Sequence, residues 1–190
     1  MTPRQITKFC MLSTCLAIPA LSQAAPGSSG GTIDFTGKIT ASTCDSTVTG
    51  NGGDNKVILP EVAVSSFTGE TAGRTSFDIT LTGCTLTGDT GVSAYFESDA
   101  TNIDPATGHL NNTDAAAALT GVSLQLIDGT SGNTIKAGDD SQILGNSYVT
   151  PTPATDGKAT IPYFVEYFKI GTDVAAGAVI GKVTYSLMYK

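Results

Sequence analysis

Few residues in this 190-residue chain could do chemistry: one histidine, His109, four cysteines, and 17 acidic side chains against 10 basic ones. A hydrolytic triad with an imidazole base would have to use His109. That residue lies in the Pro-, Gly- and Asn-rich run 104–112, which reads as a solvated loop. A single imidazole cannot build a His-rich metal centre, so neither a metal nor another cofactor is expected. Asp139, Asp140, Asp54 and Glu97 are the candidates for the carboxylate pair of a secreted hydrolase. At a net charge of −7, acidic residues on a β-protein read as solvated surface, and catalysis is not expected. The scarcity of Lys and Arg leaves no basic stripe for phosphates, which excludes nucleic acid as a partner.

The cysteines are sorted by the first 24 residues. Arg4 and Lys8 precede the apolar run 9–21, and Ser22-Gln23-Ala24 places small residues at the −1 and −3 positions of a cleavage site after Ala24. The apolar run spans thirteen residues and contains Pro19, too short to cross a bilayer core of about 30 Å. Thr14 before Cys15 and the short apolar lead-in argue against a lipid-anchored cysteine. Residues 1–24 are therefore expected to be a signal peptide. Its removal takes away Arg4, Lys8 and no acid, leaving 166 residues with a charge of −9. Cys10 and Cys15 leave with it. Cys44 and Cys84 remain in an oxidising compartment, where two leftover thiols most simply pair. Closing a loop of 40 residues would restrict the unfolded chain by about 4 kcal/mol. No Cys-x-x-Cys pair points to redox or zinc chemistry.

The elements that must carry these residues are strands. The chain holds 29 threonines and 22 glycines, with Asn-Gly, Asp-Gly and Gly-Asn steps between short apolar runs. Phe77, Ile79 and Leu81 alternate with Asp78, Thr80 and Thr82. Val122, Leu124 and Leu126 do the same before a turn at Asp128-Gly129. Val179, Gly181, Val183, Tyr185, Leu187 and Tyr189 share one face near the C-terminus. Residues 161–170 are apolar on both faces, as suits a strand between two sheets. Residues 57–59, 92–96 and 32–44 bring the expected strands to about seven. Asp114 could cap a short helix over 114–119. The connections 88–90, 101–112 and 146–156 are expected to form outer surface. An antiparallel β-sandwich is the expected architecture.

Residues 25–31, Ala-Pro-Gly-Ser-Ser-Gly-Gly, read as a flexible tail leading into Thr32-Ile33-Asp34-Phe35-Thr36-Gly37. Extended, that segment places Gly31, Ile33, Phe35 and Gly37 on one side. Ile33 and Phe35 could belong to the domain's own first strand, or the arm could add as a strand to a neighbour. Residue patterning leaves both open.

In order along the chain, Gly30-Gly31-Thr32-Ile33-Asp34-Phe35-Thr36-Gly37-Lys38-Ile39 before Cys44, Phe77-Asp78-Ile79-Thr80-Leu81-Thr82-Gly83-Cys84, Gly121 to Asp128, and Ile161-Pro162-Tyr163-Phe164 with Tyr167-Phe168 resemble the type 1 fimbrial pilins assembled by chaperone and usher. Gly177, fourteenth from the end, and the penultimate Tyr189 resemble that family's terminal signature. The resemblance covers the chain after residue 24. It implies an all-β fold: an incomplete immunoglobulin-like antiparallel β-sandwich completed by a donated strand.

The implied organisation is a signal peptide at 1–24, a donor-strand extension at 25–37 and a pilin domain at 38–190. In the donor strand Gly31, Ile33, Phe35 and Gly37 would face a neighbour's groove. The groove strand would carry Gly177, Val179, Val183, Tyr185, Leu187, Tyr189 and Lys190, with the Lys190 carboxylate held by basic residues of a periplasmic chaperone. The implied partners are neighbouring pilin subunits, that chaperone and an outer-membrane usher. The product would be an extracellular fimbria on the cell surface, serving adhesion. The chain departs from the pattern before Gly30, where only Ser28 or Ser29 stands for the outermost apolar anchor. A minor adaptor subunit near the fibre tip and a monomeric secreted binding module are the alternatives. A two-domain tip adhesin is not, because 166 residues leave no room for its binding domain.

Overall fold

The computed structural model describes residues 32–114 and 121–190. The expected signal peptide, Gly31 and residues 115–119 of the expected helix lie outside the described residues. The chain divides into two units, Met1–Gly37 and Lys38–Lys190. In the first, residues 32–37 carry no regular secondary structure. The second holds the strands β1 (Thr43–Gly50), β2 (Gly53–Asp54), β3 (Thr71–Thr85), β4 (Val92–Phe96), β5 (Val122–Asp128), β6 (Thr134–Ile135), β7 (Ala159–Lys169) and β8 (Tyr185–Tyr189), with one short helix, α1 (Ser141–Gly145). A six-stranded sheet runs β2-β1-β3-β7-β5-β6, and β4 pairs with β8 in a second sheet. Every pairing is antiparallel.

Period-two burial joins the two sheets. Phe77, Ile79 and Leu81 of β3, Ile161, Tyr163 and Val165 of β7, and Leu124 and Leu126 of β5 form one buried cluster with Val92, Ala94 and Phe96 of β4. Tyr163 is the hinge of this packing. Its ring stacks on Phe77 at 5.5 Å and meets Phe96 edge-on at 5.1 Å. Burial pushes its phenol up to about 12, and the neutral hydroxyl accepts the Ala94 N–H at 3.3 Å across the sheets. Cys44 and Cys84 form the expected disulfide, which joins β1 to β3 beside the register shift between Thr43 and Asp45.

The outer edge of β4 is sealed by side chains. Gln142 of α1 accepts the Phe96 N–H at 2.9 Å and donates to the Phe96 carbonyl at 3.0 Å, while Asn146 donates to Ala94 at 3.0 Å. Val92 and Val149 exchange two backbone bonds. No strand can add to this edge, because its polar groups are already taken. The Asp128 carboxylate ties the same segment to the β5–β6 turn by accepting from Thr130, Ser131 and Ser147 N–H groups. Burial alone would raise this carboxyl; those donors outweigh it and hold it below the usual range.

Several expectations need correcting. The first strand begins at Thr43 rather than at residue 32, and residues 57–59 form no regular strand. The strand expected through the C-terminal alternation is paired only over Tyr185–Tyr189. The hairpin after β5 exists, but its turn spans 129–132, closed by the Asp128 N–H on the Asn133 carbonyl, with Asp128 acting through its side chain. The connections expected as outer surface are exposed at Gly88, Thr90, Thr101, residues 105–107 and residues 153–156, but they are also built into the fold: Asp89, Ile103, Leu110 and Asn146 are all buried. His109 is no solvated loop residue; it is 8% exposed, packed at 4.3 Å on the Phe168 ring. The Gln125 amide lies 3.0 Å from Nε2 and the Ser123 hydroxyl 3.3 Å from Nδ1, so Nε2 accepts and Nδ1 carries the proton. The sequence run was polar enough for a loop, but β5 offers Ser123 and Gln125 as partners on its outer face.

Two outcomes follow. Gln142→Ala leaves the Phe96 N–H unpaired in the interior and should cost about 1–3 kcal/mol, read as a lower urea midpoint of the oxidised protein. Burial holds the His109 pKa below its ordinary value, so the unfolded chain takes up this proton at higher pH than the folded one. The stability His109 contributes is then whole above about pH 6.5 and lost as pH falls toward the folded pKa. His109→Asn should flatten the decline in urea midpoint between pH 7 and 5; an equal decline in the variant would place the dependence elsewhere.

Candidate functional site

On the side away from the sealed β4 edge, the sandwich is open. Residues 174–184 approach β8 without a strand partner among the described residues. Val179, Gly181, Val183 and Tyr185 are half-buried, while Ile180, Lys182 and Thr184 between them are exposed. The alternation is that of a strand, yet the inward side chains are incompletely covered. Facing them, Val57 and Leu59 are half-buried on either side of the exposed Ile58. Between these walls lies a cavity of about 480 Å³ floored by Ile79, Phe77, Leu124, Leu126, Val165 and Phe96.

A second cavity of about 550 Å³ continues it, lined by Val62, Phe67, Val122, Tyr167, Val174 and Val179. The same elements line both, displaced along their own directions: Leu59 to Val62, Val165 to Tyr167, Leu124 to Val122, Val183 to Val179. The result is one trough. Gly181 lets its wall lie close to the floor: a Cβ there would lie 2.7 Å from Leu124 Cδ1, so the Leu124 side chain would have to shift.

The described lining of the trough is mostly apolar. Among the described residues, the charged side chain lining the first cavity is Lys182 and the second Glu61, both exposed. The carboxylates considered for hydrolysis lie elsewhere. Asp139 accepts from Ser141, whose hydroxyl and N–H lower its pKa; Glu97 accepts the Ser186 hydroxyl; Asp54 is exposed on β2. An apolar trough between two half-covered walls can take up an extended apolar chain.

Leu187 and Tyr189 are half-buried in β8 against the core, and Gly177 is exposed beside the second cavity. The Lys190 carbonyl oxygen accepts N–H groups from Thr90 and Gly91, and the Lys190 ammonium sits 4.1 Å from the Tyr148 ring centre. Beside that loop, Asp89 accepts from Lys38, Thr40 and Ser42, and Lys38 with the two hydroxyls draws its carboxyl down to about 2. In the N-terminal unit Ile33 is 74% and Phe35 90% exposed, and open space surrounds Gly37. Sequence reasoning missed the opposite wall, Val57 and Leu59, as part of the site. It also missed Leu110, which the supposed surface loop carries into the trough.

Known proteins agree with this geometry. The family model described as FimA, type-1 fimbrial protein A, matches residues 58–190. The major fimbrial subunit SMF-1 of Stenotrophomonas maltophilia is 37% identical over 174 residues, covering 90% of this chain and 98% of the relative. The serotype 2 fimbrial subunit of Bordetella pertussis is 30% identical, covering 94% and 96%. Among solved structures, a chaperone–usher pilus subunit aligns with a TM-score of 0.56 at 17% identity over 88% of this chain and 99% of that one. The P pilus rod subunit PapA aligns at 0.55 and 18% identity, over 77% and 99%. Those two likenesses establish the incomplete immunoglobulin-like sandwich as the fold. The chain belongs to the type-1 fimbrial protein family and is a structural fimbrial subunit.

Proposed function

We propose that the trough accepts a strand from a second copy of this chain, and that residues 25–37 are the strand each copy donates. The observation that carries this reading is the open trough between two half-covered walls. Four inward positions, Val179, Gly181, Val183 and Tyr185, line one wall at period two. The arm offers four at the same period: Gly31, Ile33, Phe35 and Gly37. Burying Ile33 and Phe35 contributes about 1.5–3 kcal/mol each, and main-chain hydrogen bonds along the added strand supplement this. Strand addition of this kind, in chaperone–pilin complexes, is a named example in general accounts of β-augmentation.

Each copy gives its arm to one neighbour and takes an arm from the other. The contact is heterologous and does not close, so the product is a filament. Before assembly an open apolar trough is an aggregation hazard, which is the reason for a periplasmic chaperone to fill it and for an outer-membrane usher to exchange the chaperone's strand for the next arm. The domain 38–190 is then the acceptor body, 1–24 the export signal and the cell surface the destination. Similarity to a major fimbrial subunit over nearly its whole length favours the rod over a minor adaptor position.

Phe35→Asp should abolish self-assembly while leaving the subunit able to accept a wild-type arm, so that mixed expression yields short, capped fibres by electron microscopy. Fibres of normal length from Phe35→Asp alone would refute the donor assignment. Val183→Asp should show the converse behaviour, donating without accepting.

A further inference from the structure

The two walls of the trough share a feature that neither fold nor family explains. In an extended chain the N–H and C=O of alternate residues point to opposite edges. At the wall of Val57 and Leu59, the intervening Ile58 is held from outside by one side chain. Asn51 Oδ1 accepts the Ile58 N–H at 2.8 Å, and Asn51 Nδ2 donates to the Ile58 carbonyl at 2.7 Å. The segment is pressed close enough for this because Gly50 and Gly52 flank Asn51. A Cβ on Gly50 would lie 2.5 Å from the Lys56 carbonyl oxygen, and one on Gly52 2.9 Å from Ile58 Cγ1.

The opposite wall repeats the device. Asn112 Oδ1 accepts the Ile180 N–H at 2.9 Å, and Asn112 Nδ2 donates to the Ala178 carbonyl at 3.0 Å. The Thr113 N–H and hydroxyl both donate to the Ile180 carbonyl. On each wall, then, a side-chain amide stands where the peptide group of an outer strand would stand. With the outward edges at residues 58, 178 and 180 satisfied, the peptide groups of Val57 and Leu59 on one side and of Val179, Gly181 and Val183 on the other are left to face the trough.

We infer that Asn51 and Asn112 are positioning residues for strand uptake: they satisfy the outer edge of each wall so that an incoming strand is hydrogen-bonded along both of its own edges. Both walls are preset before the strand arrives, which lowers the ordering cost of binding. The inference rests on the acceptor reading above, and goes beyond it by assigning which residues present the walls. It also distinguishes the trough from the β4 edge, where Gln142 and Asn146 use the same amide chemistry to close an edge instead of presenting one.

The test uses the full oxidised chain and a synthetic peptide of residues 25–39, followed by peptide release and by amide hydrogen exchange. Wild-type chain should bind and gain protection at Val57, Leu59, Val179, Gly181 and Val183. Asn51→Ala should release the peptide about tenfold faster and lose the gained protection at Val57 and Leu59 alone; Asn112→Ala should lose it at Val179 and Gly181 alone. Asn133→Ala, in the exposed turn before β6, should match wild type. Should Asn51→Ala fail to fold, Asn51→Asp, which keeps the acceptor for the Ile58 N–H and loses only the donor, should give an intermediate release rate. Wild-type release and protection in both asparagine variants, or equal loss on both walls in each, would overturn the inference. Failure of the wild-type chain to bind the peptide would overturn the acceptor reading itself.

Discussion

A core that its own strands cannot cover governs this molecule. The floor of Ile79, Leu124, Leu126 and Val165 is built as tightly as a sandwich interior, with aromatic packing around Tyr163, yet one flank has walls and no lid. The floor is nearly covered, while the wall residues Val57, Leu59, Val179, Val183 and Tyr185 stay half in water, which favours their burial by an added extended chain. On the proposed reading, that deficit is met by the arm carrying Ile33 and Phe35, both exposed.

The fold treats its edges asymmetrically. At β4 the amides of Gln142 and Asn146 and the bridge to Val149 consume every polar group that a stray strand would use. At the trough the amides of Asn51 and Asn112 lie on the outer side of the walls. Buried polar groups elsewhere are satisfied as thoroughly. Asp89 and His109 collect their partners from segments distant in sequence, Asp128 adds Ser147 to two local donors, and no buried side-chain nitrogen or oxygen among the described residues lacks a partner. Such networks hold long connections in one conformation, which a sandwich missing a strand needs more than a complete one.

Much of the architecture was legible because period-two patterning is a local property. Phe77, Ile79 and Leu81 had to share a face, and the cysteines expected to pair, Cys44 and Cys84, are joined; the run around Tyr163 is buried on one face, while on the other Pro162, Phe164 and Phe168 are half-buried. The run 101–112 misled because composition reports average polarity and not partners. Its Asn, Asp and Gly content is that of a loop, but Leu110 exchanges two backbone bonds with Leu124 and lines the trough, and His109 is buried against Phe168. Residues 57–59 and 177–184 have strand composition, but among the described residues no strand pairs with 57–59 or 177–184.

Sequence alone therefore determined which side chains of β3, β5 and the C-terminal alternation share a face, which two cysteines are available to pair, and the arm whose apolar residues recur at strand spacing, because these depend on residue type and local spacing. Tertiary structure alone decided where the sandwich is open, which wall opposes Val179 to Tyr185, and which amides face each edge. Those depend on register between strands far apart in the chain, and hydrogen bonds from Asn51 to Ile58 or Asn112 to Ile180 exist only once that register is set.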